Sequence, residues 1–163
     1  MVALKIEEQK AFTAGLFIGE IFDKFLVREA EIVTYNQFTI DGKVRQGYFS
    51  EEELEENRIE EYSSWKTLKS VCYSLIKGKR LPERFRIVFQ MPPSARDRFV
   101  AGKIPGIYPD QVGGLYINIQ YENHEMICVT GTSMKQFTLD RTLENEWDEN
   151  VKKFLKKNGV VFS

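Results

Sequence analysis

The one regional charge signal in this chain is basic and lies between residues 77 and 103. Lysine and arginine side chains on the outward face of a predicted strand, beside a helix end, could contact the phosphates of a nucleic acid or another anion. The phenylalanines between them fall on the core-facing side of the strand, where they are poorly placed to stack on bases. We predict a solvated face, or one that meets the acidic run of the same chain, and nucleic-acid contact is the alternative. The eight residues are Lys77, Lys79, Arg80, Arg84, Arg86, Arg96, Arg98 and Lys103.

Catalytic chemistry has only weak candidates. The single histidine, His124, has no cysteine, aspartate or second histidine at metal-ligand spacing, so a turn position explains it. Ser63 and Lys66 match the S-x-x-K pattern of acyl-transferring serine enzymes, but the accompanying K-T-G element is missing. Glu29 and Glu31 share a strand face without further partners. We predict no catalytic, cofactor-binding or metal-binding residues, and a serine- or carboxylate-dependent hydrolase is an alternative only.

The acidic run and the cysteines both favour structural roles. The run lies between residues 50 and 61 and lacks the aspartate and glycine pattern of a calcium loop, which predicts a solvated surface. Cys72 and Cys128 stand among apolar residues, which predicts buried thiols in a reducing compartment. The glutamates of the run are Glu51, Glu52, Glu53, Glu55, Glu56, Glu60 and Glu61.

The composition fits a single domain over residues 1–163, with 42% hydrophobic residues. A chain of this length buries roughly 70% of the surface that unfolding would expose, so it can build a core without disulfides or metals. The formal net charge of −1 gives no bulk electrostatic reason to bind nucleic acid or an anionic membrane. Charges interrupt the apolar run at 11–27 too early for a transmembrane helix, and no secretion signal is recognised. These features predict a cytoplasmic protein without membrane contact.

A capped amphipathic helix is predicted at residues 142–158. Its acidic residues precede its lysines, which complements the helix dipole, and Asp140 or Thr142 can cap its start. Asn158 and Gly159 are typical of a helix end. The charges of this segment therefore stabilise a helix and need no ligand. Its apolar stripe consists of Leu143, Trp147, Val151, Phe154 and Leu155.

The remaining pattern predicts an α+β fold, with an antiparallel, hairpin-rich sheet that carries helices on one face. The Asp41-Gly42 pair predicts a type I′ hairpin turn between short strands at 38–40 and 43–44. Gly131-Thr132-Ser133 is predicted to be the second turn of a three-stranded meander. The longest predicted loop runs from 102 to 114. Further strands are predicted at 2–6, 24–35, 85–91, 115–121, 126–130 and 134–139, and helices at 7–18, 64–77 and 94–101.

The order of these elements contains an internal echo. Residues 2–49 and 85–139 each follow the order strand, helix, three strands, with little residue identity between them. A duplication is therefore a hypothesis that rests on element order alone.

Several local segments carry a resemblance to a known family. They are Phe38-Thr39-Ile40-Asp41-Gly42, the run from Val129-Thr130-Gly131 to Leu139-Asp140, Trp147-Asp148, and Lys152 to Gly159. With them the chain resembles an uncharacterised bacterial family of unknown function over almost its whole length. The resemblance implies a small stand-alone cytoplasmic protein and brings no activity or site residues.

A looser likeness concerns topology. Strand, helix and three strands, repeated twice, is similar to one domain of the sliding clamps that encircle DNA, although such a ring needs a basic channel and this chain is near neutral. We therefore predict a non-catalytic binding or assembly module, with a protein partner or a second copy of the chain. A clamp-like nucleic-acid accessory is the alternative, and the segment from Lys77 to Gly114 is the expected location of function.

Overall fold

The chain forms one six-stranded antiparallel sheet, described over residues 1–163 in a computed structural model. The strands are β1 (Ala3–Lys5), β2 (Leu26–Val33), β3 (Gln37–Asp41), β4 (Arg84–Gln90), β5 (Val112–Glu122) and β6 (Glu125–Met134). Their order across the sheet is β1-β6-β5-β4-β2-β3, so the two shortest strands lie at the edges.

Five helices accompany the sheet, and four of them pack on one of its faces. The helices are α1 (Gln9–Phe17), α2 (Glu51–Glu56), α3 (Trp65–Ile76), α4 (Pro93–Lys103) and α5 (Thr142–Lys157), with short 3-10 turns at Gln46–Tyr48 and Pro109–Gln111. The exception is α2, in which no residue is buried. The predicted α+β class, the antiparallel sheet and the helix at 142–158 are confirmed.

The core lies between the sheet and these four helices. Along β4 the buried side chains alternate with partly exposed ones, as expected for a strand with one covered face. Phe22, in the segment before β2, stacks on Phe89 of β4 with ring centroids 4.9 Å apart. Both tryptophans are anchored, because the indole of Trp65 donates to the Leu16 carbonyl (2.7 Å) and that of Trp147 donates to the Tyr116 carbonyl (2.9 Å). These contacts fix α3 and α5 against the rest of the core.

The opposite face of the sheet carries charged pairs between neighbouring strands. Arg86 of β4 lies 2.6 Å from the Glu29 carboxylate of β2, and Arg84 lies 3.8 Å from that of Glu31. The glutamates that share this strand face are therefore partners of arginines.

The predicted meander is wrong in its last strand. Gly131, Thr132 and Ser133 do not form a turn but continue β6, where they pair with Tyr116, Leu115 and Gly114 of β5. The strand β5 begins at Val112, earlier than predicted, and offers these residues a pairing partner, so extended pairing wins over a tight turn. The chain leaves the sheet at Met134. Phe137 and Leu139, which the sequence placed in a strand, are 91% and 86% exposed.

The predicted hairpin at Asp41-Gly42 is also wrong. The hairpin that forms joins β2 to β3 through residues 34–36, and Lys43 makes only an isolated bridge to Tyr62. Gly42 has no positive φ. A Cβ at this position would lie 1.7 Å from the Val27 carbonyl oxygen, so the glycine is needed because two backbones approach closely.

The internal echo takes a different form in the structure. Each half has the order strand, helix, two strands, from β1 to β3 and from β4 to β6. The strands β4, β5 and β6 are neighbours in the sheet, whereas the whole second half separates β1 from β2 and β3. A duplication is not confirmed, and neither is the clamp-like arrangement. No helix is both long enough and apolar enough to cross a lipid bilayer.

Candidate functional site

Four cations from four parts of the chain surround one cavity. Its volume is about 670 Å³, and it lies where the start of α4 meets the end of α5 and the segment before β2. We call it the basic cavity. Its cations are Lys24, Lys66, Arg98 and Lys157.

The backbone fixes the side of the cavity that carries Lys24 and Lys66. At the start of α3 the Trp65 amide donates to the Phe25 carbonyl (2.9 Å), and the Lys66 amide points at the Asp23 carbonyl (3.4 Å). Ser64 caps this helix by accepting a hydrogen bond from the Thr67 amide (3.3 Å). The first turn of α3 is therefore tied to the segment that carries Lys24.

The cations of the basic cavity lack carboxylate partners. None of them has an Asp or Glu oxygen within 4.0 Å. Of the two acidic residues in the lining, Asp23 binds the Lys69 ammonium at 2.7 and 2.9 Å, and only Glu20 remains unpaired. The cavity therefore has an excess of positive charge, and it attracts anions.

The other walls of the basic cavity are apolar or carry amide groups. Phe25 and Phe154 meet edge to face with ring centroids 5.4 Å apart, and both line the cavity. The helix α4 begins beside it without a side-chain cap, and Arg96 is the first residue whose amide bonds back, to the Pro92 carbonyl (2.9 Å). The unpaired amides of that first turn add to the positive potential. A ligand here meets both cations and aromatic rings.

The structure does not bring the eight predicted basic residues together. Arg98 alone lines the basic cavity. Arg84 and Arg86 lie on the uncovered face of the sheet beside glutamates, and Arg96 pairs with its neighbour Asp97 at 3.1 Å. The other four residues are separate from this cavity. Lys77 and Arg80 line a second groove at the far end of α3, Lys79 lies exposed between α3 and β4, and Lys103 is the exposed last residue of α4.

Sequence reasoning did not assign Lys24 or Lys157 to a site, and it named Lys66 only as the partner of Ser63 in a weak S-x-x-K match. Lys66 was a helix-start residue and Lys157 a dipole partner at a helix end, and both descriptions are correct locally. The three residues come from separate elements, so no spacing pattern in the sequence links them. Only the packing of α3, α4 and α5 brings them to one cavity.

The weak catalytic candidates lie apart in the structure. His124 is exposed in the β5–β6 turn with a positive φ of 62°, and its carbonyl accepts a bond from the Gln9 side chain. No hydrogen bond joins Ser63 to Lys66, although the Lys66 side chain lines the basic cavity. Glu29 pairs with Arg86. No three residues among the histidine, cysteines and carboxylates are placed to hold a metal ion.

Both cysteines are buried and unpaired with each other. Burial raises the pKa of the Cys72 thiol to about 11 and that of the Cys128 thiol to about 12. A thiol is a nucleophile only when it is deprotonated, so at neutral pH these groups behave as small apolar side chains.

Comparison with known families finds a match over most of the chain. The model of a family described as "Family of unknown function (DUF5721)" matches residues 15–163, and the chain belongs to this family. No curated protein and no solved structure matches the chain. Membership of an uncharacterised family is thus confirmed, the likeness to sliding clamps is not, and the family brings no specific function.

Proposed function

We propose that this member of the DUF5721 family is a non-catalytic module that binds a phosphorylated small molecule in the basic cavity. The observation that carries the proposal is the convergence of four cations without carboxylate partners on one cavity, namely Lys24, Lys66, Arg98 and Lys157. Like charges held together cost free energy unless a counter-charge is supplied, and a bound polyanion supplies it.

The chemistry of the lining supports a phosphate group more than a single carboxylate. A guanidinium binds phosphate oxygens in a bidentate manner, and lysine ammonium groups act as additional point charges. The four positive charges suit a ligand with two or more negative charges. The cavity volume of about 670 Å³ lies within the range of small-molecule sites, roughly 300–1,000 Å³. Phe25 and Phe154 offer an apolar surface for an organic part of the ligand.

Two further parts of the proposal concern the protein as a whole. A single domain over residues 1–163 is supported by one hydrophobic core that includes residues from Leu4 to Val160. A cytoplasmic location is supported by the two buried cysteines, since free thiols persist in a reducing compartment.

The test is calorimetric titration of the full chain with inorganic triphosphate and with ATP. The decisive variant replaces all four cations of the basic cavity by glutamine. The matched control replaces three lysines and one arginine that are exposed elsewhere, Lys79, Lys103, Lys153 and Arg58, so that composition and net charge change equally. We expect the first variant to bind at least ~10-fold more weakly and the control to bind like the wild type, because each charge-assisted contact contributes to affinity.

Equal weakening in both variants would overturn the proposal, because it would show a general charge effect. Nucleic-acid contact through residues 77–103 stays a prediction, and the same variants test it. The control variant lacks Lys79 and Lys103. If its affinity for a single-stranded oligonucleotide falls more than that of the variant without the cavity cations, the result would favour nucleic-acid binding over a small-molecule site.

A further inference from the structure

A second concave surface lies at the C-terminal end of α3 and is mainly apolar. It has a volume of about 490 Å³ between α1 and the segment that joins α3 to β4. Ile18 and Leu81 at its edge are 65% and 72% exposed, and Phe85 and Tyr121, stacked with centroids 5.4 Å apart, form part of its floor. We call it the apolar groove.

The rim of the apolar groove carries positive charge only. Lys10, Lys77 and Arg80 line it, no aspartate or glutamate does, and none of these three cations forms an ion pair. An occupant that complements this surface combines a small apolar side chain with several carboxylates.

The chain itself contains a segment of this composition. Residues 46–61, which we call the acidic arm, hold the seven glutamates of the acidic run and the short helix α2. None of its residues is buried, and none of its glutamates forms an ion pair. The helix is nevertheless formed, because Ser50 and Glu53 make a reciprocal capping box. Leu54 and Tyr48 are exposed at 36% and 87%, and the Tyr48 ring meets that of its sequence neighbour Phe49 edge to face, with centroids 5.7 Å apart.

The acidic arm and the apolar groove lie at opposite ends of α3. The arm is anchored at the start of α3, where the Val44 amide donates to the Glu61 carbonyl (2.8 Å). The groove includes Tyr73, Ile76 and Lys77 at the other end of this helix. Twelve helical residues span about 18 Å, so the two surfaces of one folded molecule do not meet, and a second molecule can bring them together.

We infer that the acidic arm of one copy docks into the apolar groove of a second copy. Leu54 enters the groove, and the glutamates beside it face Lys10, Lys77 and Arg80. The contact is heterologous, because the two surfaces differ, so it joins copies head to tail into a ring or an open chain. It shares no residue with the basic cavity, and the two proposals can fail separately.

The test measures the mass of the full chain by sedimentation equilibrium up to about 1 mM protein, which detects a Kd of that order. One variant reverses the arm, with Glu52, Glu55 and Glu56 replaced by lysine, and leaves the capping box intact. A second reverses the groove, with Lys10, Lys77 and Arg80 replaced by glutamate. We expect the wild type to associate, with at least ~10-fold weaker association at about 500 mM salt than at about 50 mM, and each variant alone to be monomeric.

Mixing the two reversed variants is the most discriminating measurement. The mixture restores opposite charges across both kinds of contact, because the reversed arm of one variant meets the reversed groove of the other. We expect the mixture to associate like the wild type. The control, with Lys103, Lys135 and Lys153 replaced by glutamate, should associate normally. A wild type that is monomeric throughout, or a mixture that fails to associate, would overturn the inference and leave the groove to a different acidic partner.

Discussion

Helix α5 and the acidic arm are both rich in charge, yet they occupy opposite positions in the architecture. Helix α5 buries Leu143, Trp147, Val151 and Leu155, whereas the arm buries nothing. The glutamates and lysines of α5 belong to a helix that is held in place by its buried apolar side chains. The arm is equally rich in charged residues, almost all of them glutamates, and has a well-formed cap, but it lacks an apolar stripe. Charge content therefore does not distinguish a structural helix from an exposed segment, and the buried stripe does.

The largest expected difference between the two regions is in stability. Replacing Trp147 by alanine should lower the free energy of unfolding by about 3–5 kcal/mol, because it empties a fully buried site and removes the hydrogen bond to the Tyr116 carbonyl. Replacing Tyr48 in the arm by alanine should change it by less than about 0.5 kcal/mol. Urea denaturation followed by circular dichroism measures both. A large loss of unfolding free energy in the Tyr48 variant would show that the arm contributes to the stability of the domain, contrary to its contrast with α5.

The second prediction concerns the exclusion of water from the helix-covered face of the sheet. Cys128 of β6 is fully buried there, and burial raises the pKa of its thiol to about 12 from an ordinary value of 9.0. Between these two pH values the unfolded chain releases the proton and the folded chain keeps it. The wild type should therefore lose roughly 1.4 kcal/mol of stability per pH unit above pH 9 through this group.

The measurement for Cys128 is the difference between two curves of unfolding free energy against pH, for the wild type and for Cys128→Ala. Lysines and tyrosines titrate equally in both proteins, so the difference isolates the thiol. Below pH 9 the two curves should run parallel, and above it the wild type should fall more steeply. Curves that stay parallel up to pH 10.5 or so would show that water reaches the thiol.

The smallest effect sharpens the description of the arm. Replacing Ser50 by alanine removes the capping box of α2 and should cost the local helix about 1 kcal/mol. Since α2 buries nothing, the global unfolding free energy should stay unchanged. Amide hydrogen exchange should show faster exchange confined to residues 51–56. Faster amide exchange in α3 as well would show that the arm stabilises the rest of the domain.

Patterns within single elements were predicted well. Helix α3, strand β4 and helix α5 follow from periodicity and, for α3, from the Ser64 cap, because their hydrogen bonds or alternation involve neighbours in sequence. The predicted N-cap of α5 at Asp140 or Thr142 is wrong, since its N-cap residue is Arg141 and makes no side-chain cap. The errors at Gly42 and at residues 131–133 arose where a glycine signalled a turn but another strand decided the outcome. Pairing with β5 extended β6, and the close approach of the Val27 carbonyl required Gly42.

The candidate sites show the same limit more strongly. The acidic arm and the basic residues of 77–103 are visible in the sequence, because each is a continuous segment. The basic cavity is not, since Lys24, Lys66, Arg98 and Lys157 belong to four elements. The sequence left open whether Arg84 and Arg86 are solvated or meet acidic residues of the same chain, and the sheet places them beside glutamates from β2.

The sequence by itself determined the α+β class, the covered face of β4, the amphipathic helices α3 and α5 and the buried state of both cysteines. Local periodicity and hydrophobicity are sufficient for these features, because burying an apolar face is favourable wherever that face ends up. The tertiary structure alone decided the strand order, the length of β6 and which charges are neutralised. Those outcomes depend on contacts between residues far apart in the chain, and the excess charge of the basic cavity is one of them.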